Sequence, residues 1–548
     1  MDYKRLADLL FPSVKYTREQ LEEKYPARNL PEGAVVSRMA PSPTGFVHLG
    51  NFVQVLISER MTHQSGGTLF LRIEDTDKKR EVEGAVETVI NSLSHYSISF
   101  DEGATHDGDN GAYGPYRQRQ RVDIYHVFAK ELVEKGMAYP CFCTEEELAE
   151  IHEQQEKEKA NFGYFGKWAK WRDRSYEEIE ENIKKGKPFV LRFRSTGSIE
   201  NKIKFTDLVK GNLELTENDI DHVLLKSDGV PTYHFAHVVD DHFMRTTHVV
   251  RGDEWISTLP FHLQLFRALD FKAPKYLHIG PLMVMDGDSK RKLSKRKDPH
   301  AAMTFYEEAG YPVESIYEYL MTILNSNFED WRRANKDLDA HEFKFSPKKL
   351  NPAGSLFDAA KLNDVSKNVI SMFSAEKVVE ELLKWSGKYD KEYFELLNSD
   401  KEYATKIFSI GRGGKKPRKD FAVWSETKDY CSYFYDETFN ATNDYPEKVS
   451  KEDVKNILEA YLKVYDVNDD NSVWFDKVKS ICEPLGFTTD MKAYKQNPDS
   501  FKGSVADIST VIRVAVTGRQ NTPDLCTIMQ LLGEERSLQR IKNAIERI

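Results

Sequence analysis

The sequence predicts an α/β protein in which a parallel sheet, interrupted by an inserted segment, leads into a largely all-α C-terminal region. Three observations carry this reading. A pattern of buried strand, helix and buried strand opens at residue 34, periodicity turns irregular between about 134 and 221, and apolar spacing beyond about 300 is mostly helical. At 548 residues the chain also exceeds one core, since domains usually run about 100–200 residues.

The elements follow in chain order. Residues 1–33 form an N-terminal extension in which Thr17 and Gln20 have capping-box spacing ahead of a short charged helix. After the break at Pro31, Glu32 and Gly33, Ala34 to Met39 reads as a buried strand that enters the loop Pro41-Ser42-Pro43-Thr44-Gly45. Leu49, Phe52, Val53, Leu56, Ile57 and Arg60 then recur at helical spacing, Gly66-Gly67 ends that helix, and Thr68 to Ile73 reads as a second buried strand. Residues 34–133 are thus the first half of a sheet domain. Residues 134–221 are an insertion, with a charged helix near 144–160 and short strands such as Phe189 to Phe193. Strand-like runs at Val238-Val239, His248 to Val250 and Leu282 to Met285 predict that the same sheet resumes over 222–300. Residues 301–370 read as a connecting domain and 371–548 as helices separated by loops rich in Gly, Pro, Asn and Asp.

Composition excludes several classes. Hydrophobic residues at 40% and charged residues at 30% are a soluble globular balance, and no stretch approaches the roughly 20 apolar residues of a membrane span. The first residues carry no export-signal pattern. Five scattered cysteines are too few for a disulfide framework and fit a reducing cytoplasm. A net charge of −10 argues against a uniformly basic coat, so any nucleic-acid contact is local.

Two constellations carry chemistry. The first, Arg38 to Asn51, sits where a strand passes into a helix, a place where free N–H groups meet phosphate. His48 can donate to a phosphate oxygen, and Gly50 leaves room for a planar base. An ordinary proline turn with a satisfied histidine is the alternative. The second, Lys290 to Lys297, is basic at six of eight positions; it is either a solvated charge run or a loop that neutralises a departing pyrophosphate.

Together these segments resemble the nucleotide signatures of class I aminoacyl-tRNA synthetases, here His48-Leu49-Gly50-Asn51 and Lys292-Leu293-Ser294-Lys295-Arg296. Asn51 replaces the family's last histidine. The resemblance narrows to glutamyl-tRNA synthetases through Arg38 to Gly45, Arg72 to Asp77, Gly114 to Gln118, Leu224 to Gly229, Pro231 to Tyr233, Val238 to His242 and Arg251 to Trp255, and continues at Val514 to Gly518 and Leu531 to Arg536. It covers roughly residues 35–548, leaving the first 33 outside. Glutaminyl enzymes show Pro-Glu-Pro-Asn-Gly, whereas Ser42 and Thr44 stand here. A non-catalytic RNA-binding paralogue is a rival from another class, against which His48, Lys292, Ser294 and Lys295 all argue.

The resemblance implies a Rossmann-like catalytic domain, split by an acceptor-end-binding insertion, with a helical anticodon-binding region. It implies a glutamate–tRNA ligase that uses ATP with Mg²⁺ to make glutamyl-adenylate and charge tRNA(Glu), acting in protein biosynthesis as a cytoplasmic monomer. Catalytic roles are implied for His48, Gly50, Lys292, Ser294 and Lys295, and ATP contacts for Thr44, His48, Gly50, Glu254 and Lys295. Glutamate contacts are implied for Arg38, Ala40, Ser42, Glu74, Tyr233 and Arg251. His237 stands where the family commonly carries asparagine, and we expect it to bring a titratable positive charge beside the substrate carboxylate. Cys141 and Cys143 resemble half of the family's zinc site, but Trp168 stands where a ligand cysteine would, so no structural zinc is expected. His234, His237, Asp241 and His242 are read as polar contacts, not metal ligands. The run Lys415 to Lys419, followed by Phe421 and Trp424, suits unstacked bases, with Arg418 the expected anticodon contact.

Overall fold

The structure, a computed structural model, describes residues 1–43, 47–77, 82–294 and 296–548. It divides into one unit of Met1–Tyr306 with Leu320–Asp358, and a second of Glu307–Tyr319 with Ala359–Ile548.

In the first unit, α1 (Tyr3–Leu10) and α2 (Arg18–Lys24) form the extension. The expected capping box starts α2: the Thr17 N–H donates to Gln20 Oε1 at 2.9 Å and the Gln20 N–H to Thr17 Oγ1 at 3.3 Å. This segment is bolted to the sheet domain. Arg18 pairs with Glu131 at 2.7 Å, and Arg28 pairs with Glu102 at 2.8 Å while lying 3.8 Å over the Tyr113 ring.

From there β1 (Val36–Met39) leads through the proline loop into α3 (Leu49–His63) and back as β2 (Thr68–Leu71), parallel to β1 with Val36 opposite Thr68. Next, α4 (Ala85–His95) returns to β3 (Glu102–Thr105), parallel to β2, and β4 (Gly108–Asn110) folds back antiparallel. The buried α5 (Val122–Glu134) carries the chain into the insertion.

The insertion holds β5 (Ala138–Cys141), α6 (Glu145–Lys157), α7 (Tyr176–Lys184), β6 (Val190–Phe193), β7 (Lys202–Asp207), β8 (Gly211–Thr216) and β9 (Val223–Leu225). Strands β5, β6 and β9 make one antiparallel sheet, and β7 with β8 a separate hairpin. After the insertion come α8 (Tyr233–Phe243), β10 (His248–Gly252), α9 (Leu259–Ala268) and β11 (Lys275–Ile279); β10 and β11 pair in parallel as a two-stranded sheet of their own, so the expected return to the same sheet is met only by a neighbouring pair, not by one continuous ladder. Thr247 joins the halves: its N–H donates to the Val36 carbonyl at 2.9 Å, and its Oγ1 accepts from the Val36 N–H at 2.8 Å. Finally β12 (Leu282–Asp286) and β13 (Ser289–Lys292) form a hairpin that β14 (Ser355–Leu356) joins alongside β12.

Two expectations fail here. Val238-Val239 lies inside α8, not in a strand; both faces of that helix are buried, and a short apolar run does not distinguish a buried helix from a strand. Leu282 to Met285 is a strand, but of the three-stranded β12–β13–β14 sheet, not of the parallel one.

The second unit is helical. Its core gathers Val378, Leu382, Tyr393, Phe408, Tyr433, Ile457, Tyr461, Val511 and Ile528 from helices that begin on side-chain caps such as Ser374, Asp390, Asp400, Ser450 and Asp470.

Candidate active site

The site begins where β1 and β2 end. Arg38 is only 5% exposed; its Nη1 donates to the Val250 carbonyl at 3.4 Å and its Nε lies 3.5 Å from Asp241. Ala40 is half-buried and Ser42 exposed along the proline loop, whose Pro41 carbonyl accepts from the Glu74 N–H at 3.0 Å. That bond fixes Glu74 beside Arg38.

Beneath them lies a buried charge cluster. Arg72 donates to Asp241 at 2.6 Å and to Glu74 at 3.1 Å, while Asp240 accepts from Arg121 at 2.6 Å and from Gln118 and Tyr125 at 2.9 Å each. Buried charges of this kind persist because each has a hydrogen-bonded partner. Against the cost of burial, Arg72 and Arg38 hold the Asp241 carboxyl far below the usual range. Glu74 goes the other way: burial pushes it up to about 7, although Arg72 and Arg38 pull it down. A carboxylate so poised gains from a cation placed against it.

Arg251, from β10, is 3% exposed and held by imidazoles. Its Nε donates to His278 Nε2 at 3.0 Å and its Nη1 lies 3.2 Å from His262 Nδ1; the guanidinium also lies 4.7 Å over the Tyr276 ring. Nη2 is buried without a hydrogen-bond partner. Tyr233, at the start of α8, faces Arg251, Glu74 and Arg38, and its ring stacks on His237 at 5.7 Å and meets Trp255 at 4.6 Å. The structure therefore brings Arg38, Glu74, Tyr233, His237 and Arg251 together.

His237 is not the titratable charge expected of it. It is fully buried, with Nδ1 2.8 Å from Asp241 and Nε2 2.9 Å from the Tyr276 hydroxyl. Burial lowers its pKa to about 4, so the imidazole is neutral between pH 6 and 8.

On the nucleotide side His48 caps α3, its Nδ1 accepting from the Gly50 N–H at 2.9 Å, which leaves the proton on Nε2. A Cβ at Gly50 would stand 3.2 Å from that same Nδ1, so this glycine first makes room for the histidine. At Gly252 a Cβ would lie 2.3 Å from the Glu254 carboxylate, which folds back over it. Lys292 ends β13, exposed. Leu293 is a buried anchor, the Ser294 N–H donates to Asp298 at 2.8 Å, and Arg291 grips Asp298 through two bonds of 2.7 Å. The turn is tied toward α3 where the Met303 N–H donates to the Val47 carbonyl at 3.2 Å. Thr44 and Lys295 lie outside the described residues.

The Cys141 and Cys143 sulfurs lie 3.4 and 3.5 Å from the Tyr164 hydroxyl, and Trp168 packs into the same apolar cluster. Among the described residues no three His, Cys, Asp or Glu side chains converge to hold a metal. Beside this cluster a cavity of about 560 Å³, lined by Tyr164, Arg192, His222 and His234 among others, lies where the insertion meets the start of α8.

In the helical unit the aromatic half of the base-stacking expectation fails. Phe421 and Trp424 are 4% and 3% exposed and belong to the core, so neither offers a face to a base. Arg418 is engaged by Asp420 at 2.6 Å.

Sequence reasoning missed Asp240, Arg121, His262, His278, Asp207 and Tyr276. An acidic pair within the apolar run Phe235 to Phe243 was the available signal, because buried carboxylates require partners.

Residues 34–362 match the catalytic domain of class I tRNA synthetases (E and Q), and residues 378–545 match an anticodon binding domain. A glutamate–tRNA ligase of Acetivibrio thermocellus is 51% identical over 546 residues, covering 100% of both chains, and one of Clostridium perfringens is 50% identical over 99% of this chain and 100% of its own. The similarity thus includes the first 33 residues, which the motifs alone left outside. A crystal structure of a glutamate tRNA ligase from Elizabethkingia meningosepticum superposes with a TM-score of 0.75 at 26% identity, covering 93% of this chain and 99% of that one. With its sheet, charge cluster and paired nucleotide segments in that order, the chain belongs to the class I tRNA synthetases of the glutamate and glutamine type.

Proposed function

We infer that the chain is a glutamate–tRNA ligase: it activates L-glutamate with ATP and transfers the glutamyl group to the 3′-terminal adenosine of tRNA(Glu). The observation that carries the amino-acid reading is Arg251, a buried guanidinium that no carboxylate neutralises among the described residues. With Arg38 beside it, the pocket offers positive charge to an acidic substrate, while Glu74 receives the ammonium and Tyr233 orients the two. Ala40 and Ser42 line the entrance.

ATP enters as its magnesium complex. A glutamate carboxylate oxygen attacks the α-phosphorus, the bond to pyrophosphate breaks, and a ribose hydroxyl of the tRNA then attacks the acyl carbon as AMP leaves. His48 Nε2–H, Thr44, Gly50 and Glu254 are the residues proposed for ATP. Lys292, Ser294 and Lys295 meet the charge that develops on pyrophosphate. The segment 134–221 is assigned to the acceptor end, 301–370 to a connecting domain, and 371–548 to the anticodon, with Arg418 as a contact once it releases Asp420. Five free cysteines fit a cytoplasmic enzyme, and no helix among the described residues is long and apolar enough to cross a membrane.

Purified tRNA(Glu) and tRNA(Gln) offered with labelled glutamate and glutamine test the reading. Glutamate on tRNA(Glu) is the expected product; charging by glutamine alone would overturn it.

A further inference from the structure

Around the amino-acid pocket the buried arginines divide by what neutralises them. Arg38 and Arg72 have Asp241 within 4 Å, and Arg121 has Asp240 at 2.6 Å. Arg251 has two neutral imidazoles instead. An arginine only donates, so His278 Nε2 and His262 Nδ1 must both be unprotonated acceptors. The proton of His278 then sits on Nδ1, 2.7 Å from Asp207 Oδ2.

We propose that Asp207 is a positioning residue for Arg251, acting through His278 from the hairpin of the insertion. Asp207 ends β7, is 2% exposed, and is itself locked: its Oδ1 accepts from the Val209 and Lys210 N–H groups at 2.9 and 2.8 Å, while its Oδ2 takes both the His278 imidazole at 2.7 Å and the His278 backbone N–H at 3.2 Å. The hairpin is seated against β11, where the Leu208 N–H donates to the Tyr276 carbonyl at 3.0 Å and Phe205 meets the Tyr276 ring edge-on at 5.9 Å. The line from carboxylate to imidazole to guanidinium fixes the plane of Arg251 and holds Nη2 toward the ligand. Placing the imidazole between them keeps the Asp207 charge from neutralising Arg251, as Asp241 does Arg72, so the positive charge stays available to the substrate carboxylate. Burial lowers the pKa of His278 against the pull of Asp207, in the direction of the neutral ring that the bond from Arg251 already requires. The insertion thereby sets the amino-acid pocket.

The inference rests on the ligase reading, and the test separates the two, because wild-type enzyme that charges no tRNA rejects that reading alone. In Asp207→Asn, the backbone donors of Val209 and Lys210 hold the amide oxygen, so the amide nitrogen faces His278. The imidazole must then accept at Nδ1 and carry its proton on Nε2, against the Arg251 N–H. Steady-state charging by the full-length chain, with saturating tRNA, reads the result. Asp207→Asn and His278→Leu are each expected to raise the KM for glutamate about tenfold or more, with the KM for ATP unchanged. His278→Gln offers both an acceptor to Arg251 and a donor to Asp207, and should keep that KM within about threefold of wild type. If His278→Leu does not fold, the near-isosteric Asp207→Asn decides. An unchanged KM for glutamate in Asp207→Asn overturns the proposal, as do parallel rises for glutamate and ATP with no rescue by His278→Gln.

Discussion

Replacing Glu74 by glutamine removes a pocket carboxyl that burial has moved into the physiological range. Its ordinary value is 4.5, and in the fold it stands at about 7, with Asp241 adding to burial and Arg72 and Arg38 opposing. That difference corresponds to about 3 kcal/mol. Because the folded value is the higher one, the native protein keeps a proton that the unfolded chain has released, and stability falls as pH rises from about 4.5 to 7. A bound ammonium reverses the preference and draws the proton off. The ionised fraction of Glu74 is about one tenth at pH 6 and nine tenths at pH 8, so the KM for glutamate should be about tenfold higher at pH 6. His234 and His237 are silent in this window, since burial lowers both to about 4. The assay is tRNA-dependent ATP–pyrophosphate exchange at varied glutamate from pH 6 to 8, with ATP and tRNA saturating. Glu74→Gln should raise the KM at pH 8 and flatten the profile. A mutant that keeps the wild-type slope would assign the titration to another group and refute the ammonium role of Glu74.

Asp298→Ala releases both Arg291 and the Ser294 N–H, so pyrophosphate exchange should slow while the KM for glutamate stays as it was; a normal exchange rate would show that the turn does not depend on this carboxylate. Trp424→Ala removes a core side chain and should cost about 3–5 kcal/mol, read as a lower melting temperature. Lost tRNA affinity with unchanged melting would instead give Trp424 a base to stack on. Elemental analysis should find well under one zinc per chain, and a zinc that survives dialysis but is lost in Cys141→Ser/Cys143→Ser would mean that further ligands exist.

The parts legible in the sequence were those written in neighbouring residues. Thr17 and Gln20 announce a capping box three residues apart, and Leu49 to Arg60 carry the period of α3 within four turns. Val238-Val239 misled because two adjacent apolar residues are too short a run to carry either period, and a buried helix segment and a buried strand look alike at that length. Phe421 and Trp424 misled for a related reason, since aromatics beside lysines look alike whether they face a base or the core of the helical unit. Pocket side chains could be named one by one, but not joined. Arg72 meets Asp241 across 169 positions, His278 meets Asp207 across 71, and no local pattern encodes either pair. What the sequence did contain was the demand for such partners. Asp240 and Asp241 sit among Phe235, Ala236, Val238, Val239 and Phe243, and two carboxylates in that company cannot stay charged without cations brought from elsewhere in the chain. The same reasoning, run from the other side, isolates Arg251. Where carboxylates satisfy the neighbouring arginines, a guanidinium held only by neutral rings keeps its charge for a ligand, and the ligand it suits is an acid.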